Sequence, residues 1–214
     1  MDAFYINDIK SIIRNIKTVM DEKRDYLIEL DSVMGDGDLG ITMTKAFAAA
    51  SEEAERSEEK LPGKLLIKAG MLMAKAAPST MGTLMATGFM RGGKAIAETE
   101  TIGITELAIF FDAFTNGIME RGKSKPGNKT IIDVLYPVTI SLQDAVKNNK
   151  NLKDGIADAF NAAQKGLEDS KQMKAEYGRA AYYQDASIGK QDGGATVGFF
   201  LLEGFYQYMN FRLE

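Results

Sequence analysis

The sequence predicts an all-α protein, a bundle or barrel of about eight antiparallel helices forming one domain over residues 1–214. Three observations carry this. Apolar residues recur at i, i+3, i+4 and i+7 in stretch after stretch, the spacing that lines one face of a helix. No segment shows the strict alternation of paired half-buried strands. Short connections rich in glycine and polar residues separate the apolar stripes, as antiparallel helix neighbours require.

In chain order, Ile9, Ile12, Ile13, Ile16, Val19 and Met20 form the first stripe. A second helix is expected from about Gly40 to Arg56, followed by the charged run SEEAERSEEK, a solvated helix end and connection. Leu65, Ala69, Leu72, Met73 and Ala76 mark the third, and a fourth is expected from about Thr83 to Glu98. Leu107, Phe110, Phe111, Phe114 and Ile118 give an aromatic stripe. Leu135, Val138, Leu142, Ala145 and Val146 give another, with Pro137 near its start, where proline disturbs least. Leu152, Ile156, Ala159, Phe160, Ala163 and Leu167 form the seventh, and the last runs from about Gly194 to Met209. The apolar run 198–209 is too short to span a membrane and contains Glu203 and Gln207, so it reads as a buried helix.

Composition removes whole classes of chemistry. The chain has no cysteine and no histidine. Disulfides, zinc-thiolate sites and Ser-His-Asp or Cys-His catalysis are therefore excluded. A metal here must be held by oxygen, which favours Mg²⁺, Ca²⁺ or Mn²⁺. A net charge of −4 with well-mixed signs argues against a nucleic-acid partner. The opening residues lack a signal-peptide pattern, and a cytoplasmic protein with no membrane partner is expected.

The chemistry-bearing residues lie between the stripes. They occur in GDGDLG (35–40), APSTMGT (77–83), PGNKTIID (126–133), GRAAYY (178–183) and SIGKQDGGAT (187–196). In an up-and-down bundle the odd-numbered connections share one end, so these segments meet there if each falls on an odd connection. Asp31, Asp36 and Asp38 have the spacing D-x4-D-x-D. Three carboxylates so close repel one another unless a cation neutralises them. An EF-hand is excluded: a loop starting at Asp36 puts Phe47 at position twelve, and one starting at Asp31 puts Thr42 there. The literal G-x-G-x-x-G of GDGDLG lacks the preceding strand of a dinucleotide fold. Two readings stand, a Mg²⁺ site at a helix start or a solvated turn capped by Asp38. Ser79 and Thr80 either meet phosphate or cap a helix. Lys129 with Thr130 is either a phosphate-touching pair or a surface turn. Arg179 either stacks on a base or pairs with an acid, and Asp192 is either a ligand-facing acceptor or a cap.

In this order, LD-x4-GDGD-x-G, the Ser-Thr-x-Gly helix start, GNKTIID, GRAAYY and SIGKQDGGAT resemble the nucleotide-binding L subunit of dihydroxyacetone kinase, from about residue 6 to about 208. The resemblance implies an eight-helix barrel with a nucleotide site at one end. It implies two Mg²⁺ ions on Asp31, Asp36 and Asp38, bridging to the phosphates of ADP or ATP. It places Leu39, Gly40, Thr42, Ser79, Thr80 and Gly82 toward the phosphates, and Gly127, Thr130, Arg179, Asp192 and Gly193 toward the nucleoside. No residue is expected to act as a protein nucleophile. The implied activity is phosphoryl transfer to dihydroxyacetone or a related short ketose held on a separate K-type subunit. In some members a phosphohistidine carrier subunit recharges a retained ADP. A nucleotide-loaded module docking on a transcription regulator is the alternative. The sequence departs from the family pattern at Leu39, where many members have histidine, and at Thr42, where asparagine is usual. A phosphate-facing donor is lost at the first and shortened at the second, which leaves open a tetrulose substrate.

Overall fold

The computed structural model describes residues 3–211, apart from the side chain of Phe211. Nine α-helices occur among them: α1 (Ile6–Glu22), α2 (Arg24–Met34), α3 (Leu39–Arg56), α4 (Pro62–Ala76), α5 (Thr80–Ala95), α6 (Ile104–Gly122), α7 (Ile132–Lys147), α8 (Leu152–Ser170) and α9 (Gly193–Phe211). A 3₁₀ segment, Arg179–Ser187, precedes α9. Among the described residues the nearest approach to a strand is one bridge, in which Phe4 and Ile102 exchange backbone hydrogen bonds of 2.9 Å.

Eight helices are staves of a closed barrel. Each of α3 to α8 packs on the next stave in sequence, α1 packs on α3, and α9 closes the ring against α1. Closure has specific causes. Asn15 donates its side-chain amide to the Gly204 carbonyl at 2.8 Å, and the Tyr208 hydroxyl donates to Asp8 at 2.6 Å. Asp8 also accepts from the Tyr5 backbone N–H, so one buried carboxylate caps α1 and ties it to α9.

The barrel interior is filled by aromatic rings. Phe89 of α5 meets Phe47 of α3 and Phe114 of α6 edge-on, at centroid distances of 5.9 and 5.5 Å. Phe111 meets Phe205 of α9 at 5.6 Å. Such edge-to-face pairs suit the ring quadrupole and add to the area they bury. Between α6 and α7 the buried hydroxyls of Thr115 and Thr139 pair at 2.9 Å, so this polar contact leaves no orphan.

The eight predicted helices correspond to the eight staves. The ninth helix, α2, was not predicted. Only Leu27 and Met34 of its residues are buried, so it carries no stripe to read. It lies across the first connection, against α3 and the 3₁₀ segment. Two boundaries also differ. The fourth stave begins at Thr80 rather than Thr83, because Ser79 accepts a capping hydrogen bond from the Gly82 N–H. The α7 helix begins at Ile132, so Pro137, expected near its start, lies past the first turn and inside the helix. Gly166 of α8 faces the Asp133 carbonyl there, where a Cβ would come within 2.4 Å of that oxygen.

Candidate functional site

The first, third, fifth and seventh stave-to-stave connections are residues 23–38, 77–79, 123–131 and 171–192. These carry the singled-out segments, so the odd-connection condition is met. Residues from three of them line a cleft of about 470 Å³ at one end of the barrel. Asp31, Asp36, Asp38, Leu39, Ser79, Thr80, Arg179, Asp192 and Gly193 all contribute. The volume is in the range of pockets that hold small ligands.

Asp31 occupies the last turn of α2, not a loop. One of its carboxylate oxygens accepts from the backbone N–H groups of Asp38 and Leu39, at 3.1 and 3.3 Å. The start of α3 is thus held by Asp31, while the Asp38 side chain makes no capping hydrogen bond. The reading of Asp38 as a simple cap therefore fails. Each of the three aspartates offers an oxygen within 4.8 Å of the others. That crowding has an electrostatic signature. The Asp38 carboxyl is pushed above its ordinary range, by burial first and then by the charges of Asp36 and Asp31, with Arg179 opposing. Three carboxylates with no nitrogen or sulfur donor form an oxygen-only set that suits a hard divalent cation.

Arg179, at the start of the 3₁₀ segment, reaches across to Asp36 with a guanidinium-to-carboxylate distance of 2.6 Å. Of its two readings, acid pairing is the one observed. The N-termini of α3, α5 and α9 all open on the cleft, through Leu39, Thr80 and Gly193. The positive ends of their helix dipoles favour an anion there. Leu39 packs against Gly193, where a Cβ would lie 2.7 Å from the leucine methyl.

Asp192 both faces the cleft and caps α9, accepting from the Ala195 N–H at 2.7 Å. Burial pushes its carboxyl up to about 6, against the opposing pull of the Ala195 hydrogen bond and Lys129. Between 3.8 and about 6 the folded chain holds this proton more tightly than the unfolded one, so stability falls as pH rises through that window. Asp192→Asn keeps the capping oxygen and removes the charge. Its melting temperature relative to wild type is expected to climb between pH 4 and 7 and then level off, by the equivalent of about 2 kcal/mol. A difference independent of pH would refute this.

Five predicted residues do not line the cleft. Gly40 lets α3 approach α2, since a Cβ there would meet the Arg24 carbonyl at 2.2 Å. Gly82 does the same against the Ala77 carbonyl at 2.0 Å. Thr42 is buried within α3. Gly127 and Thr130 donate their N–H groups to the two oxygens of Asp133, at 2.6 and 2.7 Å, which shapes the fifth connection. Lys129 fits neither of its readings. It is buried, and its ammonium donates to the Ser170, Lys171 and Met173 carbonyls where the chain leaves α8.

Sequence reasoning missed several cleft residues. Met34, Met81 and Tyr177 add an apolar wall. Tyr182 and Tyr183 flank an adjoining recess with Arg179. The tyrosines belong to GRAAYY, but nothing in that string says which way they face. Gln191 donates to the Tyr26 hydroxyl at 2.9 Å, tying the seventh connection to α2.

Fold and rim together define a class: a closed barrel of antiparallel helices with a metal-ready acidic cluster and three helix N-termini at one end. The DAK2 domain family matches residues 33–207, and the chain belongs to that family. It is 35% identical over 189 residues to the ADP-binding subunit DhaL of PEP-dependent dihydroxyacetone kinase 1 from Listeria innocua, covering 87% of this chain and 88% of the relative. It is 31% identical over 185 residues to the ADP-binding subunit DhaL of the PEP-dependent dihydroxyacetone kinase of Escherichia coli, covering 86% of this chain and 88% of the relative. The fold is shared with the dihydroxyacetone kinase from C. freundii solved with AMP-PNP and Mg²⁺, at a TM-score of 0.71 and 21% identity. That match covers 97% of this chain and 34% of the other. Among the described residues no helix is long and apolar enough to cross a membrane.

Proposed function

We propose that residues 1–214 act as one nucleotide-binding unit, the phosphotransferase L subunit of a dihydroxyacetone or related short-ketose kinase. The observation that carries this is the meeting of the aspartate cluster with three helix N-termini around one cleft. Its relatives named as ADP-binding subunits point the same way. Asp31, Asp36 and Asp38 would hold Mg²⁺, two ions in the family pattern, with ADP or ATP as the nucleotide. The oxygen-only donor set fits that ion. Bound there, Mg²⁺ would neutralise phosphate charge during transfer to the ketose.

The chain's own residues supply the rest. Asp31 fixes the start of α3, so the N–H groups that follow face the phosphates in a set orientation. Ser79 holds the first turn of α5 in the same way. Arg179 is free to exchange Asp36 for an anionic or aromatic ligand, because both partners of that pair are exposed and the pairing is weak. Met34, Met81 and Tyr177 give the base an apolar wall. Positioning and charge neutralisation of this kind suffice for phosphoryl transfer without a protein nucleophile. The chain has no histidine to carry a ketose covalently, so the acceptor belongs on a K-type subunit. A phosphohistidine carrier is the proposed donor where ADP is retained, and the cytoplasm is the proposed setting.

Calorimetry of the purified chain is expected to show ADP binding with Mg²⁺ and none with EDTA. Added to a K-type subunit, the chain is expected to support ketose phosphorylation that neither component supports alone. ADP binding indifferent to EDTA would sink the proposal.

A further inference from the structure

The seventh connection, residues 171–192, carries Arg179 and Asp192 to the cleft yet has little regular structure of its own. Its backbone turns through left-handed positions at Gly178, Gln184 and Gly189. Its path is set by ties at its base. Gly189 N–H donates to the Lys171 carbonyl at 2.7 Å, and Ala175 N–H donates to the Ser187 hydroxyl at 2.9 Å. The Asn128 side-chain amide donates to Glu176 at 2.5 Å.

The strongest tie comes from Lys129. Its side chain is 1% exposed. Its three ammonium hydrogens have three acceptors, the carbonyls of Ser170, Lys171 and Met173, at 3.2, 3.0 and 3.1 Å. These lie at the C-terminal end of α8, where the helix dipole favours a cation. The Lys129 backbone adopts φ 56°, a left-handed conformation uncommon for a residue with a Cβ. A buried ammonium costs stability unless every proton is used, and here all three are used, one on the last residue of α8 and two on the connection that forms the cleft. Burial pulls the Lys129 ammonium below its ordinary range, and Asp192 and Asp133 oppose that.

We propose that Lys129 is a positioning residue for the nucleotide site, its ammonium fixing the path of the seventh connection and through it the placement of Arg179 and Asp192. The inference rests on the functional reading above. The three aspartates belong to the first connection, to which none of the Lys129 side-chain hydrogen bonds runs, and the seventh connection meets them only through the exposed, weak Arg179–Asp36 pair. Loss of the clamp therefore separates two affinities that general loosening would lower together.

The test is calorimetry of ADP in the presence of Mg²⁺, and of Mn²⁺ alone, on wild type, Lys129→Met and Leu142→Ala. Leu142 is buried in α7 and serves as a control for destabilisation by itself. Lys129→Met is expected to keep helical circular dichroism and Mn²⁺ affinity but to bind ADP about tenfold more weakly or worse. Leu142→Ala, melting lower, is expected to bind both as wild type does. A folded Lys129→Met with ADP affinity within about twofold of wild type overturns the inference. So does an equal loss in Leu142→Ala. If Lys129→Met does not fold, Lys129→Gln, which keeps an amide donor on a shorter stem, is judged by the same criteria. A wild-type chain that ignores Mg²⁺ and ADP overturns the functional reading itself, whereas wild-type binding with an unaffected Met variant overturns the clamp alone.

Discussion

Asp38→Asn is expected to abolish Mg²⁺-dependent ADP binding while raising the melting temperature of the metal-free protein. The two effects have one cause. Asp38 lies among carboxylates whose oxygens approach within 4.8 Å, and its carboxyl is held above the ordinary 3.8 by partial desolvation and by its acidic neighbours. A folded-state value raised above the unfolded one means that stability is lost as pH rises through that interval. At neutral pH the whole penalty is in force, and asparagine removes it. The gain is modest, because the side chain is exposed and solvent screens the repulsion. The loss is large, because one of the three proposed anionic oxygen ligands becomes a weak neutral one. An affinity drop of about 100-fold, or about 2.7 kcal/mol, is the minimum expected. Thermal melts in EDTA and calorimetry with Mg²⁺ and ADP read the two signs separately. A lower metal-free melting temperature would show that Asp38 is a structural cap after all. Unchanged ADP affinity would remove it from the ligand set.

Phe89→Ala is expected to have the largest effect on the fold, about 3–5 kcal/mol. Phe89 is 1% exposed and meets the rings of Phe47, Phe110 and Phe114, which come from α3 and α6. The barrel is closed, so the surrounding staves cannot collapse into the cavity without breaking other contacts. The transfer and cavity costs therefore add rather than offset. For a chain of this length each kcal/mol lowers the melting temperature by roughly 2–4 °C, so a fall of about 10 °C is expected. Urea unfolding should show a lower midpoint with the same slope. A loss under about 1 kcal/mol would mean that the interior is far more pliable than its ring contacts imply.

The staves were legible because each buries one face. The stripe Leu107, Phe110, Phe111, Phe114 and Ile118 is buried throughout in α6. The opposite case is α2, whose eleven residues bury only two side chains and leave no periodic trace. At the site, D-x4-D-x-D was legible because three carboxylates within eight residues need a reason to be together. The role of each was not. Asp31 stood out only as part of the acidic spacing and is a helical residue gripping the start of α3. Gly40 and Gly82 read as phosphate-facing, yet they serve close backbone approach that only the packed structure reveals. Lys129 misled most, because a lysine in a glycine-flanked turn looks solvent-facing, and burial depends on α8 ending above it.

By itself the sequence determined what is local or compositional. Helical periodicity, the acidic spacing and the absence of histidine and cysteine set the helices, the donor chemistry and the excluded mechanisms. Tertiary structure decided which residues share the cleft, that Arg179 faces Asp36 across 143 positions of chain, and that Lys129 turns inward. The physical reason is that a motif fixes a residue's type and its neighbours in sequence. Antiparallel alternation of the staves brings the odd connections to one end, and closing α9 onto α1 gathers that end into one rim and assigns each side chain to the cleft, to the backbone or to the core.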